Sequence, residues 1–316
     1  MQPTTTLSTI TGTLVPRPPF DFAKSLGFLD AFSPTAGEQA IDNLSLTKAV
    51  TLNGRAVAFE LRNSGTIDQP ALSYTLYSEQ PLDEDAHEAM RDRIRFFLSL
   101  DDDLAPFYSI GQADPQFALI ISRLYGLHQP KFLTPFEITC WAVLCQRIPL
   151  PIAHQIKLAL VERWGTSITI NGETYCAFPE PQQLAAVDPT ELATVVRNTR
   201  KVDYLQAVIH YFLEVDEHWL RSGNYDEVAA ALKSIRGIGE WSLHFILVRG
   251  LGRMEGVSSI DKELLKAAEK IYNQGQPMTP NDIQPIIDRY GDTQGFWALY
   301  SRIATIPDME KAAETM

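Results

Sequence analysis

Cysteine is scarce: the 316 residues include 3, Cys140, Cys145 and Cys176, in no CxxC or Cys/His spacing. That pattern argues against a zinc site, an iron–sulfur cluster and a disulfide framework. The 6 histidines are scattered and form no HExxH, so each reads as a core or surface residue. No apolar run reaches the roughly 18 residues that a bilayer span needs. The opening MQPTTTLSTITGTLVPRPP also lacks the basic start and apolar middle of a secretory signal. A cytoplasmic protein with no membrane partner is expected. An excess of positive charge is missing too, with 27 Lys+Arg against 39 Asp+Glu and a net charge of −12. Generic polyanion binders rest on Lys and Arg, so any nucleic acid must be held by one local face and by backbone donors. A salt dependence shallower than that of a basic DNA binder follows.

What is present suits an ordinary globular chain, 45% hydrophobic and long enough for two or three packed units. The Thr/Pro-rich stretch 1–19 is expected to be poorly ordered. From about 36 to 80 the chain reads as strands. AVTLNGRAVAFELRN holds two β-prone runs joined by Asn53-Gly54, a dipeptide that accepts the positive φ of a tight hairpin turn. ALSYTLYS alternates in the same way, and a helix over 84–99 would cover one sheet face.

From about 105 the signal is helical. TPFEITCWAVLCQR opens with Thr134, Pro135 and Glu137, the pattern of a capping box with proline at the first helical position, and DPTELATVVRN repeats the device from Asp188. Between them SITINGETYCAF suggests a second hairpin at Asn171-Gly172. Further helices are expected at about 202–214, 225–234, 240–251, 261–272, 279–289 and 294–303. The expected class is α+β, an antiparallel sheet domain with flanking helices over 20–104 and a mostly helical body over 105–316.

Within that body SIRGIGEWSLHF places Gly237, Ile238 and Gly239 between two helices, with a hairpin unit over 225–252. Ile235 and Ile238 would anchor the turn, and bare glycines would let another molecule approach closely. Free amides at the start of the next helix and its dipole favour an anion, naturally a phosphate. Taken alone, Gly-x-Gly fits a plain corner between helices equally well. Asp261 follows at the head of DKELLKAAEKIY, where an aspartate is also a ready helix cap.

The block LKSIRGIGEWSLHFILVRGLGRMEGVSSIDKELLK resembles the helix–hairpin–helix superfamily of DNA glycosylases, and within it the 3-methyladenine glycosylase II (AlkA-like) family. PPFDFAKSLGFL, TPFEITCWAVLCQRI and FPEPQQLAAVDPTEL extend the resemblance over roughly residues 18–305. It implies a base-excision-repair enzyme that acts on damaged double-stranded DNA, as a monomer at the nucleoid. It makes Asp261 the catalytic residue, a fixed anion beside the sugar carbon where positive charge builds as the N-glycosidic bond breaks. Superfamily members that also cut the backbone carry a lysine two places after the second glycine. Trp241 stands there, which implies a monofunctional hydrolase that leaves an abasic site.

Such an enzyme extrudes its nucleotide, and cationic alkylated purines such as 3-methyladenine or 7-methylguanine are drawn to aromatic faces. Trp241 and Phe245, four apart, are candidates for that face, with Trp297 and Tyr300 of GFWALYSRI as further contributors to the pocket; a core role is the alternative for each. DNA contacts are assigned to Arg236, Gly237, Gly239 and Ser242, and to the wedge-loop residues Gln146, Arg147 and Ile148. Arg147 would stack or bind phosphate, or else be a solvated loop residue. No cofactor is required, although the resemblance implies a monovalent cation on the carbonyls of Lys233, Ile235 and Ile238. Lys262 and Ile303 stand where familiar members carry aromatics, so another lesion, hypoxanthine or an oxidised purine, stays open. So does a non-catalytic damage-binding protein.

Overall fold

The computed structural model describes residues 7–42 and 44–305. Five strands, β1 (Ser8–Leu14), β2 (Gln39–Ile41), β3 (Ser45–Leu52), β4 (Arg55–Asn63) and β5 (Leu72–Ser78), form one sheet in the order β1-β5-β4-β3-β2. Every neighbouring pair is antiparallel. β3 and β4 turn at Asn53 and Gly54, whose φ values of 52° and 74° are the pair that a type I′ turn demands. β1 corrects the expectation of a poorly ordered stretch over 1–19. Its Thr-rich run pairs along its whole length with β5, Ser8 opposite Ser78 and Leu14 opposite Leu72. The part of that expectation on residues 1–6, and the end of the helical body at 306–316, lie outside the described residues.

One sheet face is covered by α1 (Phe22–Ala31) and α2 (Glu84–Phe97). Met90, Ile94 and Phe97 of α2 recur at helical spacing and meet Leu46, Phe59, Leu61 and Leu76 of the strands in one core. The other face carries the small hairpin β6 (Thr166–Ile170) and β7 (Glu173–Ala177). Ile168 and Ile170 pack on Ala49 and Ala58 there, which explains why β3 is buried on both sides.

The helical body has two cores. Helices α3 (Ala105–Ala113) and α4 (Ala118–Arg123) belong to one of them. The other is built on α5 (Pro135–Leu144), whose residues are all buried. Around α5 lie α6 (Leu150–Trp164), α7 (Pro181–Ala185), α8 (Pro189–Val196), α9 (Thr199–Glu214), α10 (Glu217–Ser222), α11 (Tyr225–Ser234) and α12 (Glu240–Phe245). The chain then returns through α13 (Lys262–Tyr272), α14 (Pro280–Arg289) and α15 (Gln294–Ile303), which pack on α3 and α4 as the second lobe. Phe32 touches both cores and marks the seam between them.

The capping-box reading of Glu137 needs correction. Thr134 does cap α5, accepting from the Glu137 amide, but the Glu137 side chain turns inward to Lys157 Nζ at 2.6 Å. Lys157 is buried and also meets Glu38 Oε1 at 2.5 Å, while Glu38 pairs with Lys48 at 3.3 Å. This charge network fastens the sheet domain to α5 and α6. At Asp188 the cap is likewise one-sided, to the Thr190 amide. Among the described residues, no helix is long and apolar enough to cross a membrane.

Candidate active site

The hairpin is held from below by Ile235 and Ile238, both buried, with the Ile238 N–H donating to the Ile235 carbonyl at 3.0 Å. The two glycines serve different ends. Gly237 has φ +100°, and a Cβ there would lie 2.4 Å from the Tyr204 ring, so the fold itself demands glycine. Gly239 is the N-cap of α12 with φ −94°, and a Cβ there would meet nothing within 4 Å. Its missing side chain instead leaves the start of α12 bare, and no side chain caps the amides of that first turn. Arg236 is exposed beside this end and lies over the Tyr204 ring at 5.9 Å. Ser242 is buried behind it.

Gln146 does not project as part of a wedge. Its Nε2 donates to the Gly237 carbonyl at 2.8 Å and reaches toward Ser242 Oγ at 3.5 Å, tying the α5–α6 loop to the hairpin. Arg147 is exposed on that loop with φ +56°. Ile148 is half-buried against the first core rather than projecting, and the large apolar residues that stand out nearby are Leu150, 50% exposed, and Ile152, 46% exposed.

Trp241 is 55% exposed, which rules out the core alternative for its ring. It lies parallel to Phe245, with centroids 5.2 Å apart and planes 7° apart. Phe245 in turn meets Phe132 edge-on at 6.3 Å, and Phe132 meets Phe32 at 5.8 Å. The stacked pair is therefore backed by aromatic packing and offers one open face. After Phe245 the helix widens into a π-helical segment, Ile246–Leu251.

Asp261 comes from the second lobe. Its Oδ1 accepts from the Glu263 and Leu264 amides at 3.0 and 2.9 Å, and its Oδ2 meets Arg302 Nη2 at 2.8 Å. The cap and an oriented carboxylate thus coexist, on different oxygens. His244 lies on the opposite lobe. Burial holds its pKa below the usual histidine value, against the pull of the Asp261 charge. Its Nδ1 is 2.8 Å from the Glu240 carbonyl, so Nδ1 is the donor.

Trp297 and Tyr300 are corrected: both are fully buried in the core of the second lobe. Trp297 Nε1 donates to the Tyr272 hydroxyl at 3.0 Å, and the Tyr300 hydroxyl meets the Leu127 carbonyl at 2.9 Å and Tyr108 at 3.0 Å. α15 is the central helix of its lobe, so its aromatic stripe packs inward and only its Arg302 end reaches Asp261. Lys262 is exposed and Ile303 buried, and neither supplies an aromatic surface. Arg302, His244 and Arg249 were not singled out from sequence. Arg249 had a usable signal, because 241, 245 and 249 repeat every four residues along one helix face. Arg302 had none, since only tertiary packing brings it to Asp261.

No family model matches the sequence. The chain is 27% identical over 283 residues to the DNA-3-methyladenine glycosylase of Bacillus subtilis (strain 168), a match spanning 89% of this chain and 92% of that protein. It is 25% identical over 291 residues to DNA-3-methyladenine glycosylase 2 of Escherichia coli K12, covering 90% and 93%. A solved 3-methyladenine DNA glycosylase from Archaeoglobus fulgidus shares the fold with a TM-score of 0.75 at 19% identity, over 93% of this chain and 97% of that one. Sequence likeness running nearly end to end in these relatives, on the same fold, accounts for the hairpin and its distant aspartate together: the chain is similar over most of its length to the AlkA-like 3-methyladenine DNA glycosylases.

Proposed function

We infer that the protein is a monofunctional DNA glycosylase of base excision repair, which hydrolyses the N-glycosidic bond of flipped-out alkylated purines and leaves an abasic site. The observation that carries this reading is the exposed, stacked Trp241–Phe245 face on the helix whose His244 feels the Asp261 charge. A cationic purine laid on that face gains cation–π attraction, on the order of 1 kcal/mol or more once desolvated. As the bond to C1′ breaks, its electron pair goes to the base and positive charge grows on the sugar. Asp261 opposes that charge, and water supplies the oxygen that closes on C1′. Trp241 stands where a Schiff-base lysine would stand, so that position offers no amine to the sugar, which supports hydrolysis without backbone cleavage.

DNA would be gripped by the bare amides at the start of α12, with Arg236 beside them and Arg147 on the neighbouring loop. The carbonyls of Lys233, Ile235 and Ile238 would suit a monovalent cation between hairpin and phosphate. That of Ile235 already accepts one backbone hydrogen bond and has a second lone pair to offer.

The test is release of free base from methylated duplex DNA, read by chromatography. Release of 3-methyladenine or 7-methylguanine by the wild type, abolished in Asp261→Asn with lesion binding retained, is the expected result. Unchanged release by Asp261→Asn would overturn the assignment of Asp261.

A further inference from the structure

The second hairpin helix carries a buried charge whose hydrogen-bonding capacity the fold leaves unused. Arg249 is 6% exposed, and neither Nη1 nor Nη2 has a hydrogen-bond partner among the described residues. Its guanidinium lies over the Phe28 ring at 4.6 Å and the Phe32 ring at 4.7 Å. Burial, and after it the charge of Arg302, lowers its pKa to about 9, so it stays cationic at neutral pH. The rings offset part of the burial cost, but donors left without acceptors in the interior still cost stability, and native proteins keep few such groups without a use.

Its placement indicates the use. Trp241, Phe245 and Arg249 follow one another at four-residue intervals, running from exposed to half-buried to buried. Arg249 sits in the π-helical segment, a distortion that concentrates at functional sites. Phe32, beneath it, lies at the seam of the two lobes, and Arg249 feels the charge of Arg302, the partner of Asp261. Arg249 thus stands at the inner end of the stripe that begins with the exposed tryptophan.

We propose that Arg249 is a specificity-determining residue that reads the extruded base, its free Nη groups donating to an exocyclic oxygen or ring-nitrogen lone pair and favouring neutral, oxygen-bearing purines such as hypoxanthine. The proposal rests on the glycosylase reading above. The chemistry separates two classes of substrate. When the C1′–N9 bond of a cationic 7-methylguanine breaks, the bond pair cancels the positive charge and the base leaves neutral. When the same bond breaks in a hypoxanthine nucleotide, the pair leaves on a neutral base, which becomes an anion until it takes a proton. Water supplies hydroxide to C1′ and, in net, that proton to the base. A guanidinium beside the base stabilises the second leaving group and gives nothing to the first. The aromatic face and Arg249 therefore widen the substrate range in opposite directions of charge.

The experiment compares single-turnover release of 7-methylguanine and hypoxanthine from duplex DNA by the wild type, Arg249→Met and Arg249→Lys, with melting temperatures. The expected result for Arg249→Met is a fall in hypoxanthine release of at least about tenfold. Its 7-methylguanine release stays within about twofold and its Tm is equal to or above wild type, since an unpaired buried charge is gone. Equal losses on both bases, no loss on either, or a lowered Tm accompanying parallel losses would overturn the proposal. Should the Met variant fail to fold, Arg249→Lys still decides, because a lysine lacks the planar fork and must lower the ratio of hypoxanthine to 7-methylguanine release. Wild type releasing only 7-methylguanine would overturn this role for Arg249 alone, whereas release of neither base would overturn the glycosylase reading.

Discussion

Asp261 and Arg302 meet at 2.8 Å, carboxylate Oδ2 to guanidinium Nη2, while the other carboxylate oxygen caps α13. Both oxygens are thereby fixed, one by the backbone and one by a side chain from α15. Asparagine keeps the cap, so Asp261→Asn should melt within about 1 kcal/mol of wild type yet lose on the order of a hundredfold or more in base release. Asp261→Ala should lose the activity and also about 1 kcal/mol of stability. Arg302→Met should cost at most about 1 kcal/mol, because the pair is partly exposed, and should lower kcat more than it raises KM. Thermal melts beside single-turnover kinetics separate the cap from the chemistry.

The glycines of the hairpin should part company under mutation. Gly237→Ala forces a left-handed φ on alanine and drives its Cβ into Tyr204, so a loss of about 1–3 kcal/mol is expected. Gly239→Ala meets no atom and should leave the melting temperature nearly unchanged while weakening binding to duplex DNA. Fluorescence anisotropy with labelled DNA reads the second effect, and comparable melting losses at both glycines would contradict it.

Trp241 should be dispensable for folding. With its ring 55% exposed, Trp241→Ala is expected to change stability by about 0.5 kcal/mol or less. Excision of cationic alkylpurines should fall about tenfold, matching the loss of one cation–π face, and Trp241→Phe should restore part of it. Parallel melts and base-release rates check both halves.

The Glu38–Lys157–Glu137 network predicts a pH profile. Burial raises the pKa of Glu38, but the neighbouring Lys157 and Lys48 outweigh it and hold the carboxyl below its ordinary value of 4.5. Its stabilisation is therefore present above that value and lost as pH falls through the folded one. Burial lowers the pKa of Lys157, but Glu137 and Glu38 outweigh it and hold the amine above 10.5, so its share is lost only as pH rises through that higher value. The network's own contribution should be flat through neutrality. Lys157→Met, which strands two buried carboxylates, should cost about 3–5 kcal/mol at pH 7 and less in acid, by denaturant melts.

Local chemistry was readable in the chain, and side-chain direction was not. Asn53-Gly54 and Asn171-Gly172 announced their hairpins because a positive φ is a property of those residues themselves. The long helices from 202 onward were readable, while the six-residue α10 (Glu217–Ser222) was not, being too short to show a helical period. β1 escaped notice because its partner, β5, lies beyond three other strands in the sequence, and an edge strand shows only in its pairing. Glu137 looked like half of a capping box because its real partners, Lys157 and, through it, Glu38, are remote. Trp297 and Tyr300 were read as pocket residues because spacing tells which residues share a face, while the packing of α15 decides where that face points.

The bond from Gln146 to the Gly237 carbonyl has a mechanical consequence. On the proposed reading, the element that holds the DNA backbone and the loop that enters the duplex are pinned to each other within the first lobe. Neither can advance without the other, so the protein behaves toward DNA as a fixed former. Extrusion then draws on the compliance of the duplex pressed against it, and damaged or weakly stacked steps yield first.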